Sequence, residues 1–508
     1  MASSAQLPLL SLLIWLPIIG AAGVLLSGDD CNSITRARVF ALITVFVSLI
    51  LCIPLYNGFD LSTHNMQFTE LLPWIPSYGI NYYIGVDGIS MPFVLLTIFT
   101  SLIVVLASWR SVDKKVPQYL AAFLVMQGMM TGVFVALDSM LFYVFWEASL
   151  IPMYLIIGVW GSDNRIYAAI KFFLFTFLGS VLLLVAILYM GIKAGNFSIL
   201  GFYPLKLSMM AQTLIFFAMF AAFAVKIPMW PIHTWLPDAH TEAPAGGSVV
   251  LAAIMLKMGA YGFLRFNLPI TPDASNQYAW LIIALSLVAV VYIGLVAIVQ
   301  QDMKKLIAYS SIAHMGFVTL GCFMIYAILG HPNGLATSML GMEGAITLMI
   351  SHAFVSGALF LSVGVLYDRM HTRMINDFGG VVNKMPIFAS FMLLFALANV
   401  GMPGTSGFVG EFMVILASFK VNFWVALLAA TTLILAPAYT LWMYKRVVFG
   451  EIRGEQVGHL TDLTTTEIMV FSLLALFVLG LGLYPDALLQ IFHASVKHLI
   501  ELSQITKL

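Results

Sequence analysis

Six side chains able to take and give protons fall inside long apolar stretches of this sequence: Glu147, Lys226, Lys257, His314, His352 and Glu411. Glu147 sits in LFYVFWEASLIPMYLIIGVW, and Lys226 stands just before IPMWP. Lys257 lies past the middle of the apolar stretch 245–266, His314 one turn after Ser310, and His352 one turn before Ser356. Glu411 follows the break Gly401-Met402-Pro403-Gly404. A charge at the centre of a bilayer costs roughly 2.5–3.5 kcal/mol, so the two acids and two lysines would cost about 10 kcal/mol unpaired. Taken singly, each histidine reads better as a hydrogen-bonded core residue, and Glu147 with Lys226 could be a static ion pair. A buried pair is weak support for stability, however. The set as a whole reads as a proton path.

The energies are of a useful size. A carboxylate about 4 Å from a lysine changes the cost of its proton by roughly 4 kcal/mol at an effective dielectric of 20. Moving one charge against ~150 mV costs roughly 3.5 kcal/mol. Making and breaking a Glu147–Lys226 pair therefore spans the work of one translocation step. The ion implied is the proton. Lysine and histidine dominate the set, and a lysine has no oxygen to offer sodium.

These residues need a membrane scaffold to position them. The chain has 508 residues, of which 61% are hydrophobic and 9% charged, with zero net charge. That excludes a soluble globular protein and gives no bulk attraction to nucleic acid. The hydrophobicity predicts an all-α polytopic membrane protein of about fourteen spans, each long enough for a ~30 Å hydrocarbon core. They fall near 8–27, 38–56, 87–109, 118–137, 139–160, 167–192, 211–237, 245–266, 277–299, 303–327, 336–368, 386–418, 421–447 and 466–484. The N-terminus lacks a basic leader, so the first span reads as retained. Cys31, Cys52 and Cys322 are scattered and form no metal-ligand or disulfide spacing. No CxxC cluster or glycine-rich nucleotide loop is present.

Prolines at 228 and 231 break the seventh span, and the glycine–proline run 401–404 breaks the twelfth. Each break falls fourth in a set of five spans. An odd-numbered unit, once duplicated, sits in the membrane in opposite orientations, and matching breaks in inverted halves point to a transport site. The expected organisation is therefore an N-terminal three-helix segment (1–117), a first inverted repeat (118–266), a second (276–447), and a C-terminal helix with an interfacial tail (448–508). Connections after odd-numbered spans carry fourteen Lys and Arg residues, against six after even-numbered ones. That bias places both termini on the non-cytoplasmic side. The connection 57–86 has no Lys or Arg and reads as an ordered outer loop or hairpin; 486–502 reads as an amphipathic interfacial helix.

Other polar residues have plainer readings. Asp138, Asp163 and Asp302 lie at span ends, as solvated or capping groups. Lys171, one turn inside the sixth span, could snorkel to the cytoplasm, the favoured reading, or be carried by that helix close to Glu147. Glu343, nearer the outer face, is open between a proton exit and a partner contact.

The segments FWEASLIPMYLIIGVWG, AVKIPMWPIHTWLPDAHTEAP, LKMGAYGFLRF and IAYSSIAHMG resemble the antiporter-like subunits of respiratory complex I, the proton-pumping NADH:quinone oxidoreductase. The resemblance covers essentially the whole chain. It is greatest to the M type, because L-type and N-type relatives carry lysine where Glu411 stands and the L type has a long C-terminal lateral helix. It implies that Glu147 and Lys226 form a modulating pair, with Lys257 the central carrier. His314 and His352 become relay members and Glu411 the terminal site. It further implies a place in the inner membrane beside L-type and N-type neighbours, with NADH, FMN, iron–sulfur clusters and quinone all acting in other subunits. The rival readings are a D-type subunit of a multisubunit sodium/proton antiporter, a membrane hydrogenase subunit, and, in a different class, a non-pumping scaffold. The residue at 411 and the co-purifying subunits separate the first two from complex I, and neutralising Lys226 separates the last.

Overall fold

The computed structural model describes residues 7–28, 31–331 and 333–508. Twelve of its helices are long and apolar enough to cross a membrane. In chain order the helices that matter here are α1 (Leu9–Leu25), α2 (Cys31–Asn57), α3 (Met91–Ser111), α4 (Val116–Val135), α5 (Ser139–Trp160) and α6 (Arg165–Ala194). Next come α7 (Met209–Lys226), its short continuation α8 (Trp235–Glu242), α9 (Ala245–Ile270), α10 (Pro272–Ile298), α11 (Met303–Phe323) and α12 (Gly334–Met370). The chain closes with α13 (Pro386–Asn399), α14 (Ser406–Phe419), α15 (Phe423–Val448), α16 (Thr465–Leu483) and α17 (Asp486–Leu502). Helices α1, α13 and α14 are apolar but shorter than the twelve.

Both expected breaks are present. Helix α7 ends at Lys226, and the chain turns through Pro228 and Pro231 before α8 begins at Trp235. The Trp235 indole donates to the Val225 carbonyl at 2.8 Å, so one freed backbone acceptor is satisfied from across the gap. Between α13 and α14, Gly401 and Gly404 adopt φ of 72° and 90°, which an L side chain rarely tolerates. Asp138 caps α5 by accepting from the Met140 and Leu141 amides, and Asp302 caps α11 through Lys304 and Lys305. Thr464 and Glu467 form a reciprocal capping box at α16.

The apolar windows of α9 and α12 are enclosed along their whole length, and α11 nearly so. Wider turns interrupt α9 at Leu251–Met255 and Phe263–Asn267, bracketing Lys257. Such π-type turns displace side chains from the regular register and are common at functional sites. Helices α2, α6, α10, α15 and α16 form the less buried periphery, with large apolar side chains such as Leu178, Ile192 and Trp424 facing outward.

The 57–86 connection holds an antiparallel hairpin, β1 (Gln67–Ile75) with β2 (Ile80–Val86). The amphipathic segment at the C-terminus is α17, which packs against α12. Two cations counted as connection residues are not loop residues. Arg265 lies inside α9, buried and paired with Asp87 at 2.7 Å. Lys304 lies in the first turn of α11, buried, and donates to the Ala243 carbonyl at 2.7 Å. Both carry their own acceptors inward, which a count along the sequence cannot see.

Candidate functional site

Four of the six residues form one buried chain where α9, α11, α12 and the broken pair α13–α14 meet. The Lys257 Nζ lies 2.7 Å from His352 Nδ1 and also donates to the Ala252 carbonyl, which lies in the wide turn at 251–255. The His352 and His314 ring centroids are 5.6 Å apart. His314 Nε2 lies 3.1 Å from Glu411 Oε1, while His314 Nδ1 is 2.8 Å from the Ser310 carbonyl oxygen. A backbone carbonyl can only accept, so Nδ1 carries a proton, and Nε2, which faces both the Glu411 carboxylate and the Asn399 carbonyl, is the atom that can exchange one with Glu411. All four side chains are buried.

The helix break determines where Glu411 sits. Its Oε2 has no hydrogen-bonding partner among the described residues and lies against Gly401, where a Cβ would come within 2.9 Å. Asn399, the last residue of α13, donates to Ser310 Oγ at 3.1 Å and Thr440 Oγ1 at 2.9 Å, and its carbonyl lies 3.2 Å from His314 Nε2. An unbroken helix would spend that carbonyl on its own backbone.

Glu147 and Lys226 do not form the contact expected of them. No ion pair joins them within 4.0 Å among the described residues. Among the described residues the Lys226 Nζ has no hydrogen-bonding partner, and it sits 4.1 Å from the Trp146 ring centroid. The ring's negative face compensates part of the buried charge, worth up to about 2 kcal/mol when desolvated. Glu147 Oε1 is likewise unpartnered, and the carboxylate is acted on by Ser180 and by the charge of Lys226. The two are poised near each other with the bridge open. The adjacent aromatic explains this, since Trp146 precedes Glu147 and faces the end of α7.

Lys171, expected to reach toward the cytoplasm, pairs with Asp238 of α8 at 2.7 Å, both side chains part-exposed, and ties α6 to the broken helix. Arg373 binds Asp302 at 2.7 Å and Glu242 at 3.2 Å, fastening the end of α8 to the start of α11. Sequence reading missed His240 as a site candidate. It is fully buried, its ring is stacked on Phe360 at 4.3 Å, and neither ring nitrogen has a partner among the described residues. Lys304 and Lys257 both act on it electrostatically. Its place between two intramembrane lysines, at the end of a broken helix, was the available signal. Among the described residues no group of three or more His, Cys, Asp or Glu could hold a metal ion.

The family described as "NADH:quinone oxidoreductase/Mrp antiporter, TM" matches residues 136–436, and "NADH-ubiquinone oxidoreductase chain 4, amino terminus" matches 33–137. NADH-quinone oxidoreductase subunit M of Rhodobacter capsulatus is 50% identical, over 97% of this chain and 96% of that one. The chain belongs to the subunit M family of NADH:quinone oxidoreductase. Chain 4 of the NADH-ubiquinone oxidoreductase of Marchantia polymorpha is 44% identical, over 97% of each chain. A chain of respiratory complex I from Thermus thermophilus, solved with bound NADH, superposes with a TM-score of 0.86 at 29% identity, covering 98% of this chain and 100% of that one. A chain of the Mrp complex from Dietzia superposes with a TM-score of 0.80 at 22% identity, covering 96% of this chain and 52% of that one, a likeness of fold alone. The resemblance read from the motifs is borne out, as is an antiporter-like membrane protein of a respiratory complex.

Proposed function

We propose that this subunit moves protons across the inner membrane as part of the membrane arm of NADH:quinone oxidoreductase, between L-type and N-type antiporter-like neighbours. The observation that carries the reading is the enclosed chain from Lys257 through His352 and His314 to Glu411, with short contacts at both ends. Lys257 Nζ passes its proton to His352 Nδ1, and a water between the two rings, or a ring rotation, carries it to His314. Glu411 receives it from His314 Nε2. Lys226, held by Trp146 and not by Glu147, is free to move between the two. Closing the Glu147 bridge withdraws positive charge from the neighbourhood of Lys257, and opening it returns that charge. That is how a distant redox event would set the proton affinity of Lys257. NADH, FMN, iron–sulfur clusters and quinone belong to partner subunits, and the redox chemistry takes place there.

In this reading the chain makes about fourteen crossings, with each break at the fourth position of an inverted five-span repeat (118–266 and 276–447), and both termini face the non-cytoplasmic side. The sodium/proton antiporter reading is disfavoured by the carboxylate at Glu411, which faces a histidine and not a cluster of oxygens. The test is proton translocation per NADH oxidised, in proteoliposomes holding the whole complex at fixed pH, with and without sodium. Lys257→Ala should leave the complex assembled and lower the ratio sharply, and sodium should change nothing. A parental ratio in that variant, or a requirement for sodium, would overturn the proposal.

A further inference from the structure

Glu343 lies on α12, nine residues before His352, and the path above does not use it. At 1.5 Å per residue it stands about 13 Å from that histidine, toward the end of α12 where α17 lies. Its side chain is 11% exposed, and Oε1 lies 2.7 Å from Nδ1 of His493, a residue of α17 whose side chain is 61% exposed. Both residues line an open cavity of about 560 Å³ that also receives Ser62, Asp486 and Gln490. A buried carboxylate is thus joined to the surface through one imidazole.

Inward from Glu343, the same helix presents hydroxyls at intervals of four. Thr347 is buried and its Oγ1 has no partner among the described residues. Ser351 donates to Ser406 Oγ at 2.8 Å, at the first turn of α14 and five residues before Glu411. Positions four apart on a helix share a stripe, so Glu343, Thr347 and Ser351 run in one line along α12. That stripe borders the α14 contact, because a Cβ on Gly410 would come 2.7 Å from Leu348 Cβ. On α14, beside the stripe, Glu411 Oε2 is also unpartnered among the described residues. Unpaired buried oxygens at both Thr347 and Glu411 call for ordered water, and a hydroxyl both donates and accepts.

We propose that Glu343 and His493 are the proton-release site of this subunit, loaded from Glu411 along the Ser406–Ser351–Thr347 stripe and emptied into the cavity beside α17. The inference rests on the pumping role of Glu411 given above. The Glu411 carboxylic acid gives its proton to the water and hydroxyl line, and the Glu343 carboxylate takes it up. His493 accepts it next as an imidazolium and returns it to bulk water. Nothing is oxidised or reduced.

The experiment compares Glu343→Gln, Thr347→Val and Glu411→Gln in the whole complex in proteoliposomes, measuring protons released per NADH oxidised. Glutamine keeps a hydrogen bond to His493, and so the α12–α17 fastening, but carries no proton. Glu343→Gln should lower the ratio as far as Glu411→Gln does and slow coupled oxidation several-fold. Glu343→Asp should restore part of it, and Thr347→Val should show a smaller loss. A parental ratio in Glu343→Gln beside a lowered one in Glu411→Gln overturns the release site and leaves the pumping role standing. Parental ratios in both overturn the pumping role as well. If Glu343→Gln does not assemble, Thr347→Val decides, because it leaves the Glu343–His493 pair intact: a parental ratio there overturns the proposal.

Discussion

Replacing Glu411 by glutamine removes one negative charge 3.1 Å from His314 Nε2 and leaves the shape of the site unchanged. At that separation two unit charges interact by about 5 kcal/mol at an effective dielectric of 20. The imidazolium form of His314 loses that support, and at about 1.4 kcal/mol per factor of ten its population falls by nearly four orders of magnitude. The proton arriving from Lys257 and His352 then has nowhere to rest, so the path stops at the histidine pair. Glu411→Gln should therefore assemble normally and lose the share of protons this subunit contributes, measured as the proton-to-NADH ratio in sealed vesicles. Glu411→Asp keeps the charge but withdraws it by one methylene, and should retain part of the ratio. Lysine at 411 should be partly tolerated, since relatives of the L and N types end there in lysine. An unaltered ratio in Glu411→Gln would show that the short contact to His314 is a structural hydrogen bond and not a step in the path.

Trp146→Leu removes the ring beneath Lys226 Nζ and with it up to about 2 kcal/mol of cation–π support, so coupled NADH oxidation should slow by about tenfold, with Trp146→Phe in between. A parental rate in Trp146→Leu would make the ring contact incidental. Asp87→Asn leaves Arg265 buried without its counter-ion, a loss of about 3–5 kcal/mol that should appear as a lowered thermal midpoint of the purified complex. Burial alone would push the Asp87 carboxyl up, but the Arg265 charge and hydrogen bond, with those of Ser90, outweigh it and hold the group below the usual range. Its contribution is therefore present above the unfolded value near 3.9 and lost as pH falls through the folded one. The difference between parent and variant should be constant near neutrality and shrink in acid; a difference that grew in acid would contradict the assignment.

What the sequence by itself determined is whatever depends on composition and local backbone chemistry. An apolar chain with few charges cannot leave the bilayer. Prolines 228 and 231 and glycines 401 and 404 must interrupt their helices wherever those helices pack. Lysines and glutamates in such stretches are too costly to be there without a partner or a task, which is why Glu147, Lys226, Lys257 and Glu411 stood out as candidates. Local signals also sufficed for the Asp138 and Asp302 caps and for α17. The pairing of those groups is a different matter, because it depends on distances between helices far apart in sequence. Lys257 and His352 are 95 residues apart and meet at 2.7 Å only because α9 and α12 cross in the core. The adjacency of Glu147 to Trp146 was in the sequence, but only the packing of α7 decided that Lys226 lies over the ring and not against the carboxylate. Likewise Arg265 and Lys304 looked like cations bound for water, and each is held inside by an acceptor on a distant element. A charge's cost is written in its residue type, whereas the partner that offsets it is supplied by the fold.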